Sequence, residues 1–193
     1  MDKMRQALLW SRYSLWTLGF VALAYTAFVV TIAVWSQHEG SRELRHHRGT
    51  APLPGGIFGL MEVPRLGLSV IVFEGSGDDV LGRGAGHLLE SATLAETGNV
   101  VLAGHRDTFF RPLRDIRVGD VIKVKTISAE RSYVVDSTRV VDPSDVGVLD
   151  PTPQPVLTLV TCYPFRYVGP APDRFIVRAS ALPRAEVSAN IKH

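Results

Sequence analysis

Hydrophobic and polar positions divide the chain into three unequal stretches. Residues 13–37 contain no Asp, Glu, Lys, Arg or His, and their core at 15–35 reads LWTLGFVALAYTAFVVTIAVW. About 20 apolar residues in a helix cross a hydrocarbon layer of ~30 Å, so this run is long enough to span one. Trp10, Tyr13 and Trp16 lie near one end and Trp35 at the other, as interfacial aromatic belts do. A helix buried in a soluble core would keep a polar face at this length. A cleaved signal peptide would have a shorter apolar region closed by small residues. The pairs Ala22/Ala24 and Ala24/Ala27 fall in the middle of the run instead. Residues 15–35 are therefore read as an uncleaved anchor after a short segment, 1–14. Lys3, Arg5 and Arg12 precede it and favour a cytoplasmic N-terminus.

Residues 36–55 are polar and irregular, with Arg42, Arg45, His46, His47 and Arg48 leading into the sequence APLPGG. This is a solvated linker ending in a Pro/Gly loop. No partner that would make His46 and His47 a metal site is evident. From there to about Leu182 the pattern changes to short β-branched runs separated by Gly, Pro and Asp. The runs fall at 57–63, 66–73, 99–103, 120–127, 131–141, 156–161 and 174–180. Such spacing predicts an all-β barrel or sandwich. Short helices are expected near 78–81, 109–113 and 143–146, with Asp78 and Ser144 as candidate caps. The β-rich unit is set at 56–183, with a tail at 184–193.

Composition narrows the function classes. The 193 residues carry a formal charge of +2. Lys3, Arg5 and Arg12, against Asp2, account for that excess, so the remaining chain is formally neutral. It therefore has no net positive field to recruit nucleic acid. Hydrophobic content of 46% excludes a disordered chain. A single cysteine excludes an intrachain disulfide and any multi-cysteine zinc site.

That cysteine, Cys162, closes the run VLTLVTC where it meets Tyr163–Pro164. A cysteine in such a strand commonly acts as a small hydrophobe. At a strand end it can instead be exposed as a nucleophile, which requires a base or cation nearby. His105, after NVVLAG, is a candidate partner, and His87 in GAGH is a second. Arg174 opens the run RFIV, 12 residues after Cys162, and could stabilise an oxyanion. Arg106 and Arg178 rival it on charge alone. These residues leave a thiol acyl-transfer enzyme and a membrane-tethered binding module both open.

Two longer stretches decide between them. Residues 102–120, LAGHRDTFFRPLRDIRVGD, resemble the histidine segment of sortases. Residues 158–179, TLVTCYPFRYVGPAPDRFIVRA, resemble their cysteine–arginine segment, and GAGH at 84–87 fits as well. The wording is most similar to class D sortases and related enzymes of Gram-negative bacteria. His87 is followed by LLESATLAETGN, where relatives often carry a Pro-Gly turn. The acidic calcium residues of class A enzymes have no match.

The resemblance implies a closed eight-stranded β-barrel with short helices. It implies Cys162 as nucleophile, His105 as acid/base and Arg174 as oxyanion or substrate-positioning group. His87 becomes structural or peripheral to substrate. Thr161, Tyr163, and Val146 and Leu149 of the 142–155 connection are expected, with His87, to contact substrate. No cofactor and no metal is expected. The implied substrate is a protein with an LPXTG-like C-terminal sorting signal, and the second substrate is an amine acceptor in the cell envelope. The expected location is the bacterial cytoplasmic (inner) membrane, single-pass, with the barrel outside. A cysteine endopeptidase that merely releases its substrate is the alternative within enzymes.

Overall fold

The computed structural model describes residues 55–183, together with Trp16 and Leu23. Apart from these two positions the expected anchor lies outside the described residues, as do the linker up to 54 and the tail from 184. Among the described residues no helix is long and apolar enough to cross a membrane.

Eight strands form the framework of the described residues: β1 Ile57–Val63, β2 Leu68–Glu74, β3 Ala85–His87, β4 Asn99–Ala103, β5 Val121–Lys125, β6 Glu130–Val141, β7 Val156–Tyr163 and β8 Asp173–Ala181. They close into a barrel in the order β1-β2-β3-β4-β7-β8-β6-β5. Alternation along the strands drives closure. In β5, Ile122 and Val124 are fully buried while Lys123 and Lys125 are exposed. In β7, Leu157 and Leu159 join the central core with Leu102, Val177, Tyr133 and Met61. Burying a side chain of this size contributes about 1.5–3 kcal/mol.

Seven of the eight strands coincide with the apolar runs to within a few residues. The exception is β3, only three residues long and containing Gly86. It fits because it lacks bulk: a Cβ on Gly86 would overlap the carbonyl of Gly75. No periodicity can register over three residues, two of them small.

The helical expectations shift in detail. Asp78–Leu81 is a single α-helical turn, but Gly77 occupies the position before it and Asp78 lies within its first turn. The other two are 3-10 turns at Arg111–Asp115 and Val146–Leu149, later than expected. Ser144 is no cap: its hydroxyl and N–H donate to Asp142 Oδ1 at 2.6 and 2.8 Å, making a local turn.

Topology determines where a site can form. β4 and β7 are adjacent and parallel, so both finish at one end of the barrel. β8 is antiparallel to β7 and therefore starts at that end. β6 finishes there too, with Val141 opposite Arg174.

An ion pair ties the loops of this end together. Arg65, in the β1–β2 turn, grips Asp120 through Nε–Oδ1 and through Nη2–Oδ2 at 2.6 Å. Its Nη2 also donates to the carbonyl of Asp115 at 2.6 Å, and Asp120 Oδ2 accepts the Arg117 N–H at 2.8 Å. The Arg65 hydrogen bonds, aided by the Arg117 N–H, hold the Asp120 carboxyl below the usual carboxylate range despite its burial. An unfolded Asp titrates near ~3.9. The unfolded chain therefore takes up this proton first as pH falls. Stability from the pair is complete above about pH 4 and lost as pH drops through the lower folded value. Asp120→Asn is expected to lose about 1–2 kcal/mol at pH 7. It should also flatten the acid limb of a melting-temperature-versus-pH curve. An unchanged acid limb would refute this assignment.

Candidate active site

Strand parity decides which side chains meet. On β7 the even residues Thr158, Val160 and Cys162 face away from the core occupied by Leu157 and Leu159. On β8, Phe175, Val177 and Ala179 pack toward the core, leaving Arg174 on the outer face. Cys162 and Arg174 are direct cross-strand partners. Their Cα atoms are thus about 4.5–5.5 Å apart, with both side chains on one face.

His105 reaches the same face from the other side of β7. The parallel register pairs Ala103 with Val160. It persists one residue further: the Gly104 N–H donates to the Val160 carbonyl at 3.1 Å, and Thr161 Oγ1 donates to the Gly104 carbonyl at 2.7 Å. Continuing it sets His105 beside Cys162, with β7 central and His105 and Arg174 on its flanks. Gly104 points inward, where a Cβ would lie 2.7–2.9 Å from the Phe110 ring. Only glycine admits Phe110 there, and the turn that follows presents His105 outward.

The three side chains are each half-buried, and Cys162 is a free thiol. The Cys162 thiol and the His105 ring share no hydrogen bond among the described residues. Strand pairing sets their proximity, and catalytic hydrogen bonds commonly tighten only once substrate is bound. Arg174 is braced by its own loop, with Nη1 donating to the carbonyls of Asp173 at 3.0 Å and Ala171 at 3.4 Å. Asp142 lies beyond it at the end of β6. Its carboxyl is held below the usual range by the Ser144 hydroxyl and N–H, and further by the Arg174 charge. A thiol, an imidazole and a guanidinium on one face can form a covalent acyl intermediate, move a proton and stabilise an oxyanion.

The remaining expected site residues scatter. Thr161 is 3% exposed and faces inward, so it fastens β7 to β4 beneath the site and does not present itself to a peptide. His87 is buried as well. Its Nδ1 pairs with Glu74 Oε2 at 2.7 Å and its Nε2 lies 3.1 Å from the Ala92 carbonyl and Ser91 Oγ. Phe58 stacks on its ring at 4.1 Å. With every polar edge engaged, His87 braces β2, β3 and the loop after β3. Of the two histidines on which the sequence left a choice, only His105 stands beside Cys162.

Val146 is exposed and Leu149 half-buried, both on the 3-10 turn of the 142–155 crossover. Asn99, absorbed in the sequence by the apolar run NVVLA, pins this crossover. Its Nδ2 donates to the carbonyls of Val148 and Asp150, both at 3.2 Å, while its Oδ1 accepts from Thr158 Oγ1 at 2.7 Å. Asn99 and Thr158 are outward by parity, so the crossover lies over the face that carries Cys162. Tyr163 points the other way. With Phe165, Phe175, Pro164, Arg114, Asp115 and Arg166 it lines an open groove of about 580 Å³.

The class is defined by a closed eight-stranded barrel with a free thiol at a strand end, flanked by an imidazole and a guanidinium. The sortase domain family matches residues 61–182. The chain is 36% identical to sortase D of Bacillus subtilis over 127 residues, covering 65% of this chain and 64% of that one. It is 38% identical over 130 residues to sortase SrtE1 of Streptomyces coelicolor, covering 58% of this chain and 37% of that one. Among solved structures, a Clostridium perfringens sortase D5 transpeptidase superposes with a TM-score of 0.69 at 27% identity, over 79% of this chain and 99% of that one. The chain belongs to the sortase family. It spans less than two thirds of the length of these curated relatives.

Proposed function

We propose that this protein is a membrane-anchored sortase that cleaves an LPXTG-like C-terminal signal after its Thr and joins the new carboxyl end to an amine. The observation that carries the reading is the register of β4, β7 and β8, which puts His105, Cys162 and Arg174 side by side on one face.

In this scheme the Cys162 thiolate attacks the carbonyl carbon of that Thr. Arg174, with nearby backbone N–H groups, stabilises the tetrahedral oxyanion. The C–N bond breaks as His105 gives a proton to the leaving amine, and a thioester to Cys162 remains. An acceptor amine then attacks the thioester carbon and yields its proton to His105. A new amide forms and the thiolate is released. A thioester preserves acyl-transfer potential that an oxygen ester would hold less readily for an amine.

Residues 15–35 serve as the anchor, with the N-terminus in the cytoplasm and the barrel on the outer side. A substrate retained in the same membrane then meets the enzyme in two dimensions, at raised effective concentration. The crossover held by Asn99 forms one wall of the signal groove, where Val146 and Leu149 contact the signal.

Mass spectrometry of products from an LPXTG-like peptide and a glycine-based amine tests the reading. An amine adduct joined at the Thr carbonyl is the expected product. Free acid alone would make the protein an endopeptidase, and no cleavage at all would exclude both.

A further inference from the structure

The residue after the catalytic histidine has a connection that its sequence position does not reveal. Arg106 reaches 61 and 63 residues ahead, where its Nη2 donates to the carbonyls of Tyr167 at 3.0 Å and Gly169 at 3.1 Å. Its guanidinium lies 5.6 Å from the centre of the Tyr167 ring. Both carbonyls belong to the β7–β8 loop, residues 164–172, which joins the strand end bearing Cys162 to the strand start bearing Arg174. One side chain thus links the three chain segments that carry the chemistry.

The grip has limited strength. Nη1 is buried but has no acceptor among the described residues, so the hold rests on one nitrogen and a ring face. Around it the loop is otherwise exposed: Arg166, Tyr167, Val168, Gly169 and Pro170 all face solvent, with Val168 fully so. Arg174 holds the loop's far end through Ala171, and the exposed stretch between the two holds can close on substrate and open for release.

We propose that Arg106 is a positioning residue that latches the β7–β8 loop to the histidine segment and thereby keeps water from the acyl-enzyme. It touches neither the thiol nor the scissile bond. It acts by fixing the loop between Cys162 and Arg174 during the interval in which the thioester waits for its amine. With the latch lost, the first half-reaction proceeds and the second leaks: water attacks the thioester carbon in place of the amine, yielding free acid and regenerated thiol. This consequence rests on the acyl-transfer reading above, whereas the latch itself rests on the hydrogen bonds alone.

The test uses full-length protein in lipid nanodiscs, as wild type, Arg106→Gln and Arg106→Lys. Amide hydrogen exchange is followed across 164–172. The split of product between amine adduct and free acid is measured with an LPXTG-like peptide and a glycine-based amine. Arg106→Gln is expected to speed exchange in the loop about tenfold, because its local opening becomes easier. Acyl-enzyme formation should stay within about threefold of wild type while the hydrolysed share rises severalfold. Arg106→Lys, which keeps the charge but loses the planar fork, should fall between. Should Arg106→Gln fail to fold, Tyr167→Leu removes the ring contact alone and should raise both readouts to a smaller degree. Unchanged loop exchange overturns the latch, and faster exchange with an unchanged product split overturns its role in excluding water. If wild type forms no acyl-enzyme, the acyl-transfer reading is what fails, and loop exchange alone then decides on the latch.

Discussion

Cys162→Ala is expected to abolish acyl transfer while leaving the barrel folded. The loss should be about 10⁴-fold or more, because in the proposed scheme the residue forms the covalent bond and no neighbouring side chain substitutes for it. The fold should hardly notice. Cys162 is half-buried on the outer face and stands apart from the buried core cluster. Its truncation leaves the Leu157, Leu159 and Val177 packing intact, so the change in stability should stay within about 1 kcal/mol. Assays with an LPXTG-like peptide, trapping of the thioester by mass spectrometry and a thermal melt together check this. A variant that still transfers acyl groups would remove Cys162 from the mechanism.

His87→Ala should do the reverse, with its main effect on stability. His87 is 2% exposed and Glu74 6% exposed, and they meet at 2.7 Å inside the wall formed by β2 and β3. Removing the imidazole strands the Glu74 carboxyl without its partner. It also empties the space against Phe58 and releases the loop carbonyl of Ala92. A buried carboxyl left without its hydrogen-bond partner costs about 1–3 kcal/mol, and the space opened beside Phe58 adds about 2, for about 3–5 kcal/mol together. In a domain of this size that corresponds to a fall in melting temperature of about 10–20 °C. Glu74→Gln, which keeps an acceptor for Nδ1, should cost less. Where His87→Ala remains folded, its thiol should still react with a small alkylating agent, since His105 and Arg174 are held by other strands. A melting temperature within about 2 °C of wild type would show that the pair does not hold the wall.

The two substitutions separate what the chain announces from what it conceals. Cys162, His105 and Arg174 stand out because each is a chemically distinctive residue at the end of an apolar run. Runs of β-branched residues with period-two burial report strands almost directly, and the positions of seven strands follow from them. Their order around the barrel does not. Parallel pairing of β4 with β7, across the whole of β5 and β6, is a long-range contact that no local pattern encodes.

Supporting residues were the least legible. Asn99 reads as one polar letter in an apolar run, yet its amide fastens the crossover beside the site. Arg106 is indistinguishable by charge from Arg178, and only the path of the β7–β8 loop makes it a latch. Thr161 and Tyr163 flank Cys162 in sequence and so suggest themselves as substrate contacts. The pleat turns both to the opposite side, because neighbours on a strand alternate faces.

Local propensity and motif, then, were enough by themselves to specify strands, a family likeness and three candidate reactive side chains. They are short-range properties, carried by a residue and its immediate neighbours. Tertiary structure alone decided which histidine stands beside the thiol, which polar residues are buried braces, and how the connecting loops are held. Those outcomes depend on strand order, register and face, and these are fixed only when distant segments bury their apolar sides against one another in the closed barrel.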